Sequence, residues 1–288
     1  MKNTAELLQL IELEKIDHQT YLGQISDVGS PNVYGGQLLA QSLNAAYQGC
    51  TKKDFLCNSI HTYFFSAGNL AKKTITYQVS ENFIGRSFAC WQVVAMQENR
   101  VICKSMVSFH KREDGLSHQF SKPFMFWPRF LTPSWEDALK LKRFLPQKII
   151  DWLMVVRPIT FKSFDSPFTL FPTSTKNLWM KFKEAQNDLT APQKQQLILY
   201  AIDYNILFSA INAHRKAHYG NTQMASLDHS MWFHRNQYDI SKWFFLAQDC
   251  PSTSNARAFT RSNVYSSKGK LIASATQEGL FRPKKQEV

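Results

Sequence analysis

Residues 197–213, LILYAIDYNILFSAINA, carry apolar side chains on almost every side at helical period. Ile198, Leu199, Ile202, Ile206, Leu207, Ala210 and Ile211 leave no wide polar face. A helix of that kind either crosses a membrane or is enclosed by protein. Asp203 near its middle, with Asn205 and Asn212 close by, argues against a bilayer. A carboxylate inside an enclosed helix is costly unless it is paired or used. The segment alone leaves both readings open: Asp203 paired with an arginine, or Asp203 at work.

The 288 residues suffice for one large core or two ordinary ones. The 14% aromatic share, with 22 Phe and 7 Trp, suits broad buried faces or an apolar ligand channel. No run of about 18 uncharged apolar residues occurs, so no membrane span is expected. The N-terminal MKNTAELLQLIELEKI reads as an amphipathic helix interrupted by Glu6, Glu12 and Glu14, not as a signal peptide, and an intracellular chain is expected. Five irregularly spaced cysteines, with no CxxC or Cys/His pattern, point to reduced thiols and no metal site. A net charge of +12 suits a nucleic acid, an acidic membrane surface or a substrate with several phosphates. The basic residues form scattered doublets such as Lys52-Lys53 and Lys72-Lys73, without a zinc finger, RNA-recognition signature or basic helix. Nucleic acid is therefore not an expected partner.

Along the chain, Gly35-Gly36 makes a tight turn into a charge-poor helix over residues 37–47, with Leu38, Leu39, Ser42, Leu43 and Ala46 at helical spacing. Strands are expected at 59–65, 73–79, 87–96 and 101–109, the last two forming a hairpin around Gln97-Glu98-Asn99-Arg100. Residues 110–133, rich in Pro, Phe and Trp, read as a crossover. Ser134 N-caps a helix with Glu136 and Asp137 in its first turn. Residues 149–161 and 177–183 read as strands, and Thr190-Ala191-Pro192 opens the central helix. Further strands are expected at 224–234, 243–248, 256–265 and 270–281.

The order helix, strand, strand, hairpin thus occurs twice. Phe88 and Phe259 differ by 171 positions and Ile102 and Ile272 by 170, while His61 and His229 each sit in an aromatic strand after a helix. Internal duplication explains this, each half wrapping an antiparallel sheet around one apolar helix.

The stretches VYGGQLLAQSLNAA, HTYFF, MVVRPI, MASLDHSMWFHR, STSNARAF and ASATQEGLFR follow one another over nearly the whole chain. In them the sequence closely resembles the thioesterase II family of acyl-CoA thioesterases. The resemblance implies an α+β tandem double hot dog, two antiparallel sheets each wrapped around a long apolar helix. The units expected are 1–115 and 151–288, with a crossover linker at 116–150. It implies hydrolysis of acyl-CoA to free fatty acid and CoA by water attack on the thioester carbonyl, with no metal or cofactor. The catalytic trio falls on Asp203, Ser226 and Gln277, the hydroxyl and amide orienting an Asp203 that activates water. It further implies an acyl-CoA substrate, a homo-oligomer (a dimer of double hot dogs or larger) and a location in the cytoplasm, or in peroxisomes for a eukaryotic chain, of which the cytoplasm is the expectation here. The chain ends Lys285-Gln286-Glu287-Val288 without a peroxisomal SKL-type address. Departures from the family pattern fall at residues 61–69, 234–237 and 256–259, where CoA or subunit contacts are expected.

Other readings are weaker on chemical grounds. A non-catalytic acyl-CoA or acyl-chain binding protein on the same scaffold is the alternative. Gly85-Arg86-Ser87-Phe88-Ala89 misses GxSxG by its last glycine and precedes a hairpin, not a strand-to-helix elbow. Asp228 and His229, as neighbours on a strand, point to opposite faces, so a direct dyad is not expected and His229 reads as structural. Gly35-Gly36-Gln37 before a helix is weak as a phosphate signal.

Overall fold

The computed structural model describes residues 1–123, 129–144, 147–163, 173–214, 217 and 221–284. The first half comprises α1 (Thr4–Ile11), β1 (Glu14–Lys15), β2 (Thr20–Gln24), α2 (Gly35–Gly49), β3 (Phe55–Phe64), β4 (Thr74–Ile84), β5 (Phe88–Gln97) and β6 (Arg100–Lys111). A connecting region holds α3 (Trp135–Ala138), a 3₁₀ turn (Leu139–Phe144) and α4 (Gln147–Met154). The second half has β7 (Ile159–Ser163), β8 (Thr175–Phe182), α5 (Ala191–Ile202), α6 (Phe208–Asn212), β9 (Thr222–Ser226), β10 (Asp228–Phe233), β11 (Phe244–Ser254), β12 (Arg257–Tyr265) and β13 (Leu271–Pro283).

Local chemistry accounts for the boundaries. Thr190 and Gln193 form a capping box ahead of α5, with proline in its first turn, and Ser134 and Asp137 do the same for α3. Glu98 and Asn99, both at positive φ (46° and 66°), close the β5–β6 hairpin.

The strands join in one antiparallel sheet, not two, in the order β1-β2-β4-β5-β6-β3-β10-β13-β12-β11-β8-β7, with β9 paired to β13. The order is a palindrome: β3 pairs with β10 at the centre, and each half fans outward from that seam through equivalent strands. The sheet is open, and its outermost strands do not pair with each other. On its inner face α2 packs against β4, β5, β6 and α5, while α6 packs against β8, β11 and β12. Leu38, Leu39, Leu43, Leu197, Ile198 and Leu199 sit in one buried core that runs across both halves.

Four further expectations are corrected. The second long helix does not run through residue 213: α5 stops at Ile202, and a turn separates it from α6. After Ile202 the bonds shorten to Tyr204 N–H to Ala201 O and Asn205 N–H to Ile202 O, while the Tyr34 hydroxyl takes the Tyr200 carbonyl at 2.7 Å. Apolar periodicity reads through such a break because the turn residues Tyr204 and Ile206 remain buried. Residues 149–161 are not one strand. Pro158 keeps only its immediate predecessors out of helical geometry, so the chain is free to be helical to Met154, where Gln147 and Asp151 are linked side chain to side chain at 2.7 Å. Residues 224–234 break at Leu227, whose N–H bonds Glu278 O and whose carbonyl accepts from Phe64 N–H, both at 2.9 Å. Finally, His61 and His229 are not equivalent. The seam pairs His61 with Ser230, so burial alternation matches His229 to Ile60.

Candidate active site

Asp203 occupies the C-cap of α5, with helical φ and ψ. The C-terminal end of a helix is an unfavourable place for an anion, and a helix N-terminus is a favourable one. The fold brings the second to the first: α2 begins at Gly35 directly against Asp203. A Cβ on Gly35 would lie 2.8 Å from Asp203 Oδ2, and one on Gly36 would lie 2.4 Å from the Tyr200 carbonyl. The glycine pair is therefore needed for close approach of one helix start to the other helix end, which its reading as a turn does not capture. Tyr34 at the N-cap makes no side-chain capping bond, and the Gly36 N–H in the first turn of α2 serves the Asp203 carboxylate instead.

Two strands complete the neighbourhood. Ser226, the last residue of β9, pairs in register with Gly279 of β13, and Gln277 lies two residues before that partner. The Gln277 amide Nε2–H donates to Ser226 Oγ at 2.7 Å, and its Oε1 lies 2.6 Å from His229 Nδ1. The Gln277 amide, the Gly36 N–H and the Ser226 hydroxyl act on the Asp203 carboxylate. The structure thus brings together Asp203, Ser226 and Gln277, the three residues the family resemblance singles out, and sets His229 and the α2 start beside them. Among the described residues no Lys or Arg ion pair reaches Asp203.

Burial raises the pKa of Asp203, and the Gln277 amide, the Gly36 N–H and the Ser226 hydroxyl offset this only in part. Asp203 Oδ1 is buried and without a hydrogen-bond partner. His229 is fully buried, and desolvation lowers its pKa despite the opposing pull of Asp203, so the ring is neutral. Asp228 points away and accepts the Glu278 N–H at 2.9 Å, in agreement with strand alternation.

A cavity of about 600 Å³ opens over this group, lined by Val33, Gly35, Phe64, Asp203, Leu207 and Ser226 among others. Gln277 and His229 lie behind the lining, with 1% and 0% exposure. The chain at 64–68, which departs from the family pattern, reaches the cavity rim. An unpaired carboxylate on an apolar cavity, flanked by a hydroxyl and backbone N–H groups, can take a proton from water while a neighbouring dipole holds developing negative charge. No group of His, Cys, Asp and Glu suited to a metal occurs among the described residues.

The sequence matches the family models described as acyl-CoA thioesterase N-terminal domain, over residues 24–110, and acyl-CoA thioesterase C-terminal domain, over 151–281. Acyl-CoA thioesterase 2 of Haemophilus influenzae is 31% identical over 281 residues, covering 96% of both proteins. Acyl-coenzyme A thioesterase 8 of Homo sapiens is 26% identical, over 96% of this chain and 89% of that one. Among solved structures, acyl-CoA thioesterase II TesB2 from Mycobacterium marinum superimposes with a TM-score of 0.76 at 25% identity, over 98% of this chain and 99% of that chain. A hot-dog-fold protein from Alicyclobacillus acidocaldarius gives 0.77 at 14% identity, over 95% and 96% of the two chains.

Proposed function

The chain belongs to the acyl-CoA thioesterase family, and from that premise we propose how it hydrolyses acyl-CoA to a free acid and CoA. Asp203 is the general base. A water on the cavity side gives a proton to Asp203 as its oxygen attacks the thioester carbonyl, and the carbonyl oxygen becomes an oxyanion. The Gly35 N–H at the start of α2 holds that oxyanion. Collapse of the intermediate breaks the C–S bond, and protonated Asp203 returns the proton to the departing thiolate. Ser226 and Gln277 keep the carboxylate oriented towards the water. Burial of Asp203 makes it a stronger base than an exposed aspartate, while the thiolate, a good leaving group, asks little of an acid.

The observation that carries this reading is the buried carboxylate at a helix end, without an ion pair among the described residues, met by a helix start and opening on a cavity. Thiol release by Asp203→Asn tests it, with turnover expected to fall by about 10²–10⁴-fold while the fold is kept. Near-normal hydrolysis in that variant would refute the assignment.

The same reading divides the chain into an N-terminal hot-dog unit at 1–115, a crossover at 116–150 and a C-terminal unit at 151–288. The palindromic strand order supports this, with α2 as the enclosed helix of the first unit and α5 plus α6 that of the second. A homo-oligomer is supported by the outer face of the seam, where Tyr63, Met106 and Trp232 on β3, β6 and β10 are 63%, 40% and 38% exposed. The cytoplasm is the proposed compartment, on the family resemblance.

A further inference from the structure

His229 belongs to no part of the chemistry above, yet it is a fully buried imidazole one bond from Gln277. We propose that His229 is a positioning residue of the site: as the neutral Nδ1–H tautomer it fixes the Gln277 amide with its NH₂ turned towards Ser226 and Asp203. The inference rests on the site assignment in the preceding subsection.

The argument begins with the amide, whose two ends differ only in what they can donate. Turned over, Gln277 would present its carbonyl oxygen to the Asp203 carboxylate, two acceptors face to face. With the NH₂ on that side it donates to Ser226 Oγ at 2.7 Å, and its influence on Asp203 is that of a donor. The oxygen must then point at His229 Nδ1, 2.6 Å away, so Nδ1 carries the proton. This leaves Nε2 as the bare lone pair, and Nε2 is indeed buried without a partner. Burial keeps the ring neutral. The charged groups acting on it are Asp203, from the end of α5, and Asp228, on its own strand; from β13 comes the Gln277 dipole. The equivalent position in the other half is Ile60, so the sheet itself does not require a polar group there. His229 does not line the cavity and so acts through Gln277.

Two measurements on the full chain test this. The first is thiol release from acyl-CoA by His229→Gln, His229→Asn and Asp203→Asn. Asparagine places an amide N–H where Nδ1 was, whereas glutamine places one near Nε2 and leaves Gln277 Oε1 without its donor. His229→Gln is expected to lose about 100-fold in kcat with KM little changed, and His229→Asn to recover most of that loss. Full activity in His229→Gln beside an inactive Asp203→Asn overturns the role of His229 alone, as does equal impairment of the two histidine variants. Full activity in Asp203→Asn overturns the underlying site. The second measurement needs no variant: ¹⁵N shifts of His229 at neutral pH are expected to report the Nδ1–H form. An Nε2–H tautomer or an imidazolium at pH 7 contradicts the proposal.

Discussion

Where β3 pairs with β6, Ile60 faces Val107, and both are fully buried. At the related place in the second half, one step along the register from Ser230–Thr276, His229 faces Gln277, linked by a 2.6 Å hydrogen bond. The same two sheet positions hold an apolar pair in one half and a hydrogen-bonded polar pair in the other. The helices differ in parallel, since α2 runs unbroken for 15 residues while α5 stops after 12 to present Asp203. At the opposite end of the seam, where symmetry would put a second site, the Tyr47 hydroxyl bonds Gln195 and accepts from Cys57 N–H, with no carboxylate at the helix end. A cavity of about 660 Å³ exists there as well, lined by Asn58, His234 and Arg235 among others. The two ends of one scaffold thus present different side chains. The proposed site takes its helix start from the first half and its carboxylate from the second, so neither half holds all of it.

The comparison can be broken by exchanging residues between its two sides. Gln277→Val, which gives the second half the first half's residue, is expected to cut kcat by about 10²–10³-fold, on the scale of losing one preorganised donor; a variant that turns over normally would make the polar pair ornamental. The reverse change, Val107→Gln, buries an amide with no His229 opposite it. A loss of about 1–3 kcal/mol of folding stability is expected, with kcat unaltered, by denaturant titration and steady-state assay. Ser226→Ala removes a single hydroxyl partner of Gln277, and about a tenfold fall in kcat, near 1.4 kcal/mol, is expected. Smallest is the stability cost of the site itself. Asp203→Asn replaces a carboxylate that burial disfavours and is expected to raise stability by about 0.5–2 kcal/mol at neutral pH, read as a higher unfolding midpoint.

The pH dependence follows from the raised pKa of Asp203. Turnover needs the ionised form, so kcat should fall as pH drops through a value above the usual aspartate figure of about 3.9. Stability should run the other way. A group whose folded pKa lies above its unfolded one stabilises fully below the unfolded value, and that contribution is lost as pH rises through the folded pKa. Asp203→Asn should flatten this part of the stability profile.

Much of this was legible in the chain. Thr190 with Pro192, Ser134 with Asp137, and the Glu98-Asn99 turn declare element ends through side-chain chemistry that acts over a few residues, and the structure places them so. The hairpin offsets gave the duplication, since equivalent strands keep equivalent apolar periods. The break after Ile202 was not legible, because a turn that stays buried keeps the hydrophobic pattern of the helix it interrupts. Nor was the part His229 plays: alternation correctly puts it on the face opposite Asp228, but its partner lies 48 residues away, across a strand register that one sequence does not encode locally. A histidine on the same strand face as buried Met231 and Phe233 was the available signal. The purpose of Gly35 and Gly36 was hidden for a like reason, since Asp203 excludes a Cβ at Gly35, and the Tyr200 carbonyl, beside the ring of Tyr34, excludes one at Gly36.

The most direct test of Asp203 as a base acting on water is a single turnover, with enzyme in excess over acyl-CoA, in H₂¹⁸O. Direct water attack predicts ¹⁸O in the released fatty acid and none in the peptide that carries Asp203. Heavy oxygen found in that peptide would mean that the carboxylate itself attacks the thioester, and would contradict the account.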